Sequence, residues 1–201
     1  MSPKPGEVLT KGSNFTGLLR ALEERIGAPS HEEVLSQLPE NVADALGLGQ
    51  VVAVGWYPVD WYAELHSAID RVTRGGPELA RALGRDATKA DFTNLHRAVA
   101  RMLKIETVFG QAPRLMQLYW KGGRIECPEV GLGYGRLAFT GWHGFTRLIW
   151  EDLAGSIEAI LALCGAKDAS CWSLGALVAA SRLEIHVNWA TPARRVRETG
   201  R

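Results

Sequence analysis

The 201-residue sequence has almost no excess charge of either sign: 23 Lys and Arg face 22 Asp and Glu, a formal +1. A chain so balanced has no whole-molecule field with which to gather a polyanion, so neither nucleic acid nor a membrane surface is an expected partner of its body. Cysteine is scarce as well. Cys127, Cys164 and Cys171 are odd in number and lack CxxC spacing, which argues against a disulfide framework and a structural zinc site and for reduced thiols. No stretch approaches the ~20 apolar residues needed to span a bilayer. The opening Met-Ser-Pro-Lys-Pro-Gly also lacks the apolar core of a signal peptide, so the expected address is cytoplasmic. Internal repeats and low-complexity segments are absent.

The usual marks of catalysis are missing too. There is no GxSxG elbow, no cysteine–histidine signature and no HExxH, and His31, His66, His96, His143 and His186 are scattered. His143 stands in the loop Gly141-Trp-His-Gly144, where an imidazole could donate to an anion or take a proton, but no orienting partner is visible. Glu126 and Glu129 are an odd number of residues apart and would point to opposite faces of a regular strand. Gly131-Leu-Gly-Tyr-Gly135 looks like a phosphate cradle, yet a strand pattern follows it where a cradle needs a helix. The expectation is therefore a non-enzymatic protein with no catalytic residue, no metal site and no cofactor.

What the chain does have is material for one core: 46% hydrophobic residues and seven Trp. One domain over 1–201 is expected, with a flexible leader at 1–11 and a flexible basic tail at 190–201 carrying Arg194, Arg195, Arg197 and Arg201. Phe15, Leu18, Leu19, Leu22 and Ile26 recur at helical spacing before Gly27 and Pro29. Ser30 and Glu33 form a capping-box signature ahead of a second helix, and a further turn or two ends at Gly47. Val51 to Val54 is a short apolar run of undecided type. Pro58 suits the first turn of a helix striped by Tyr62, Leu65, Ile69 and Val72. A long helical region then runs from Glu78 to Leu103, with Gly84 marking a kink or a close packing contact. Leu115 to Trp120 reads as helix or strand. Ile125 to Phe139 reads as a hairpin turning at 131–135, and Ile149, Leu153, Ile157, Ile160, Leu161 and Cys164 stripe the clearest helix. Leu183, Ile185, Val187 and Trp189 alternate with polar residues as a closing strand, paired with one over Cys171 to Val178. The fold class is α/β of the α+β kind: a helical amino-terminal half, then an antiparallel sheet covered by helices on one face.

Lys11-Gly-Ser13, Trp56-Tyr-Pro58, Leu83-Gly-Arg85, Ala112-Pro-Arg-Leu115 with Tyr119, Gly123-Arg-Ile-Glu126 and Ile185 to Trp189 occur in that order across most of the chain. Together they resemble an uncharacterised family of about 200 residues found mainly in myxobacteria, itself similar to the four-vinyl-reductase domain. The resemblance implies the architecture shared by haem-nitric-oxide sensors and small subunits of vesicle-tethering complexes, with an apolar pocket between helices and sheet or a dimer surface. Such domains often carry a cysteine pair in the closing hairpin. Here Leu183 takes the place of the second and Cys171 aligns poorly with the first.

Four residues are the expected pocket: His96, Phe92, Tyr119 and Leu153. His96 lies roughly where the haem-binding relatives place a proximal ligand, so haem through His96 is the exception to the absence of a cofactor; the Tyr-x-Ser-x-Arg motif with which those sensors hold haem propionates is absent. Trp56, Tyr57, Trp61 and Tyr62 cannot all share one helical face and form the candidate interface of a homodimer or partner. The function expected is a regulatory binding module for an apolar small molecule or a protein partner. The alternatives are a constitutive dimeric adaptor and, third, a haem-binding sensor or accessory subunit of a tetrapyrrole enzyme.

Overall fold

The computed structural model describes residues 6–91, 103–174 and 182–190. The chain opens with strand β1 (Leu9–Lys11), followed without a break by α1 (Gly12–Ile26), then α2 (Ala28–Ser36) and α3 (Glu40–Gly47). Strand β2 (Trp56–Pro58) leads into α4 (Val59–Thr73) and α5 (Gly76–Asp91). Beyond residue 103 come α6 (Ile105–Gly110), α7 (Ala112–Met116), β3 (Trp120–Lys121), β4 (Arg124–Gly131), β5 (Tyr134–Thr140), α8 (Arg147–Leu163), β6 (Lys167–Leu174) and β7 (Arg182–Ala190). Two antiparallel sheets result, one ordered β2-β1-β3 and one ordered β4-β5-β7-β6. This is the expected mixture of helices and antiparallel sheet, with one addition. The small three-stranded sheet was not foreseen.

Its middle strand takes up Leu9–Lys11, the end of the leader expected to be flexible. Val8, Leu9 and Thr10 are buried, and Leu9 to Lys11 pair with Trp56 to Pro58 on one side while Leu9 and Thr10 pair with Trp120 and Lys121 on the other. A three-residue strand is too short to show a period, so only its partners reveal it. Pro58 accordingly ends β2 and flanks α4, as its fixed φ allows. Ser30 falls inside α2, which starts at Ala28 behind Gly27, so the capping box is not used. The ambiguous stretch after Pro113 is divided between the short α7 and strand β3. Of the long helix expected to Leu103, α5 reaches Asp91, and most of its remainder lies outside the described residues, as does most of the basic tail.

Phe15, Leu18 and Leu22 on α1, Leu65 on α4, Leu83 on α5 and Ile149 on α8 have no exposed surface, and one apolar core joins them to Leu137, Phe139, Ile185 and Val187 of the larger sheet. The closing strand behaves as its alternation predicts: Leu183, Ile185, Val187 and Trp189 are all buried.

Helix α8 is buried more completely than one stripe requires. Ile149, Leu153, Ile157 and Leu161 face the core as expected, but Asp152 and Glu158 on other sides of the helix are buried as well. It crosses α5 with almost no gap: a Cβ on Gly84 would fall on the carbonyl oxygen of Asp152, and one on Gly155 on that of Arg81. Gly84 is thus a contact point inside a continuous helix, not a kink. The crossing is clamped by Arg81, whose Nε donates to Glu151 at 2.8 Å and whose Nη1 donates to Glu158 at 3.2 Å and to the Cys171 carbonyl at 3.1 Å. Arg85 donates to the other Glu158 oxygen at 2.6 Å, and the Cys171 amide donates to Glu158 at 3.0 Å.

Because the obstacles at Gly155 are backbone, Gly155→Ala should destabilise the fold by about 1–3 kcal/mol in urea unfolding. Gly47→Ala, whose new methyl meets open space, should leave stability unchanged or raise it by up to ~1 kcal/mol. Equal stabilities for the two variants would contradict the close crossing.

Candidate functional site

At the seam between the helical half and the larger sheet, α4 and α8 bring three polar side chains together inside the core. Tyr62 donates its hydroxyl to Asp152 Oδ2 at 2.7 Å, and His66 Nε2 stands 3.4 Å from the same oxygen. His66 and Tyr62 are each 2% exposed and Asp152 is 6% exposed. A four-residue helical step stacks His66 on Tyr62, their rings meeting edge to face at 4.7 Å. Burial, reinforced by the charge of Asp152 and the bond to it, pushes the Tyr62 phenol well above its ordinary value.

Aromatic rings fill the rest of the seam. Tyr62 touches Phe15 at 5.1 Å and Trp120 at 5.7 Å between centroids, Trp120 meets Phe145 at 4.8 Å, and Phe145 meets Trp150 at 4.6 Å. Phe139 closes the row against Trp150 at 5.1 Å. Leu153, an expected pocket residue, is 6% exposed within the core, whereas Tyr119 is 37% exposed on the surface beside Lys11. The structure therefore does not bring these two together, and Phe92 and His96 lie outside the described residues.

The expected interface aromatics also separate. Tyr62 is core and cannot meet a partner. Tyr57 is tied to the loop before it, accepting from the Val52 amide and donating to the Gln50 carbonyl, both at 2.9 Å, while its ring stacks on Trp61. Trp56 lies beneath two ammonium groups, with Lys121 Nζ 4.1 Å and Lys11 Nζ 6.0 Å from its ring centre.

Next to Lys121 a cleft of about 290 Å³ opens, lined by Gln117, Trp120, Lys121, Gly122, Gly123, Ile125 and Trp142. Sequence reading missed it. Its only local signals are the glycine pair Gly122-Gly123 and Trp142, and neither belongs to a recognisable motif. Gly122 and Gly123 adopt φ of +89° and +62°, and a Cβ on Gly123 would stand 2.6 Å from the Trp142 ring. Only glycine lets the indole lie against this turn. Trp142 is fixed from its other end, its Nε1 donating to the Arg124 carbonyl at 3.1 Å.

The remaining candidates have structural roles of their own or none. His143 is exposed. His186 meets the Tyr134 hydroxyl through Nδ1 at 3.1 Å and stacks on Trp172. A register shift between Glu126 and Glu129 breaks the strand's alternation, yet the two acids still go to different arginines, Arg124 and Arg136. In the glycine-rich turn, Gly131 pairs with Tyr134 to close the hairpin, and Gly135 leaves room for the Phe109 ring. Burial pushes all three thiols up, Cys171 furthest, which keeps them protonated and poorly nucleophilic. Among the described residues no group of three His, Cys, Asp or Glu could hold a metal, and no helix is long and apolar enough to cross a membrane.

No protein-family model matches this chain, and no curated protein does. Solved structures do match, and the class they define is the H-NOX fold. An Fe(II) unliganded H-NOX protein from K. algicida aligns with a TM-score of 0.67 over 92% of this chain and 98% of its own at 12% identity. An oxygen-binding H-NOX domain related to soluble guanylate cyclases aligns at 0.61 over 92% and 97%, with 14% identity. A protein described for modulating haem redox potential through porphyrin distortion aligns at 0.61 over 89% and 99%, with 13% identity. The architecture of mixed helices and antiparallel sheet implied by the resemblance stands, while the narrower likeness to the myxobacterial family and the four-vinyl-reductase domain gains no support. The expectation of no cofactor is overturned, because the proteins that share this fold include ones described with iron, bound oxygen and haem.

Tyr62→Phe removes a hydrogen bond to a buried carboxylate and should cost about 1–3 kcal/mol at neutral pH. Neutral Tyr62 in the fold stabilises it relative to an unfolded phenol that ionises near 10.0. That contribution is complete below pH 10 and is lost above it, so the penalty of Tyr62→Phe should shrink as pH rises past ~10. Urea unfolding of both proteins at neutral and alkaline pH measures the difference. A penalty that grows with pH would refute this placement of the phenol.

Proposed function

We propose that this chain is a sensor-type regulatory module, a non-enzymatic domain that takes a small molecule and signals its occupancy to a partner. The observation that carries this reading is the cleft at Trp142, an open hollow of mixed lining in which Trp120, Trp142 and Ile125 stand beside Gln117 and Lys121. The likeness to H-NOX domains over nine-tenths of the chain adds support.

A second reading is a haem sensor with His96 on the iron, favoured by what the structural neighbours are described as binding. When bound, haem would supply an iron centre able to take a diatomic gas. The described residues do not fit it. The seam is filled with rings, and the Tyr-x-Ser-x-Arg motif is absent.

Native mass spectrometry and a visible absorption spectrum of freshly purified protein, expressed with a haem precursor supplied, test both readings. A reproducible small-molecule adduct without a Soret band is the result expected of the first. A Soret band abolished by His96→Ala establishes the second. A bare dimer that acquires no ligand contradicts both and leaves the constitutive adaptor.

A further inference from the structure

We infer that the loop between α3 and β2 is a docking surface for a basic amphipathic helix of a partner protein. Its apolar crest would meet the helix's apolar stripe, and its acidic flanks the cations beside that stripe. The inference rests on the regulatory reading only for there being a partner, and it adds the partner's chemistry.

The crest comes first. Leu48, Val52 and Val54 are 72%, 50% and 78% exposed in one loop. A loose loop shows such exposure as a matter of course, but this one is braced. The amides of Gln50 and Val51 both donate to the Ala45 carbonyl at the end of α3, and the Gly55 amide donates to the Val52 carbonyl. The Gly55 and Ala53 carbonyls accept the first two amides of α1, those of Gly12 and Ser13, at 2.9 and 3.0 Å. Tyr57 ties the middle of the loop through the Val52 amide and the Gln50 carbonyl. With Val51 buried as the anchor, the fold holds the three larger apolar neighbours out in water, and a partner's apolar surface would recover that hydration cost.

Charge comes second. Between Arg25 and Arg71 the chain has no Lys or Arg, while Asp and Glu recur throughout. Glu32, Glu33, Glu40, Asp44, Asp60 and Glu64 are all exposed, and none has an ion-pair partner among the described residues. The acids of α5 and α8 behave differently: Asp86, Asp91, Glu151 and Glu158 each meet an arginine. Glu40 and Asp44 stand one helical turn apart on α3, and the Leu48 amide donates to the Asp44 carbonyl, so this row runs into the crest. Asp60 and Glu64 repeat the spacing on α4 beside Trp61, whose ring stacks on Tyr57. Carboxylates therefore precede and follow the apolar loop along the chain. An amphipathic helix carries the complement, an apolar stripe edged by rows of Lys or Arg. In a chain of formal charge +1, this face attracts a cationic partner and repels an anionic membrane.

Three peptides of about 18 residues, patterned for one apolar stripe, serve as probes: Leu/Lys, the same with Glu for Lys, and the same with Ser for Leu. Titrations of the full chain are followed by anisotropy of the labelled peptide and by the amide resonances of Leu48, Val52 and Val54. The Leu/Lys peptide should bind saturably, shift those amides and weaken as salt rises, with the other two at least about tenfold weaker. Leu48→Ser with Val54→Ser, two surface changes, should weaken it about tenfold and leave urea unfolding unchanged. Glu40→Gln with Asp44→Asn should weaken it and flatten its salt dependence. Equal binding of the Ser/Lys peptide, undiminished binding in Leu48→Ser/Val54→Ser, or no binding of the Leu/Lys peptide overturns the docking surface. Sedimentation of the full chain covers another occupant: self-association that is lost in Leu48→Ser/Val54→Ser assigns the crest to a second copy and overturns the partner helix. A missing small-molecule adduct would contradict the module reading and change none of these titrations.

Discussion

Helices α5 and α8 touch backbone to backbone, and most of the molecule is arranged around that contact. Gly84 gives up its side chain to the Asp152 carbonyl and Gly155 gives up its own to the Arg81 carbonyl, so each helix carries the glycine that the other needs. Close approach has an electrostatic consequence. It draws Arg81 and Arg85 over Glu158, which would otherwise be a buried charge without compensation. Because Glu158 also accepts from the Cys171 amide and Arg81 donates to the Cys171 carbonyl, the same cluster grips the edge strand β6. One interaction thus joins a helix of the first half, a helix of the second and the sheet.

The seam holding Tyr62, His66 and Asp152 follows from this placement. With its Glu158 side committed to α5 and β6, α8 presents Asp152 toward α4, where Tyr62 and His66 receive it. Buried polar groups discriminate among packings that apolar surfaces alone would allow. A slide of α8 by one turn would strand both acids at once. The aromatic row from Phe15 to Phe139 then packs around a fixed frame, and Trp120 and Trp142 become rigid walls of the outer cleft.

Much of the architecture was legible in the sequence, but less of the site. The stripe of α8 and the alternation of Leu183, Ile185, Val187 and Trp189 each repeat long enough for the period to declare the element. Leu9–Lys11 is too short for that, and its burial comes from strands distant in sequence. Asp152 and Glu158 look like solvent-facing residues on a helical wheel, and only the proximity of α4 and α5 shows them to be inside. Gly84 and Gly155 carried the decisive contact, yet a glycine in a helix reads equally as kink or contact until its partner is known. The cleft was invisible because residues 117–125 and Trp142 meet through tertiary folding, and no motif marks such a meeting. Reading motifs alone also gave the wrong expectation for the cofactor, since likeness to haem-carrying proteins lies in the fold and not in any local signature.

Native-state hydrogen exchange tests the central claim most directly. If the α5–α8 contact and its Glu158 cluster unite the two halves, the amides of α5, α8 and β6 should share one opening free energy, equal to that of global unfolding, and should weaken together in Glu158→Gln. Opening of α5 at markedly lower free energy while α8 and the sheet remain protected would contradict the account.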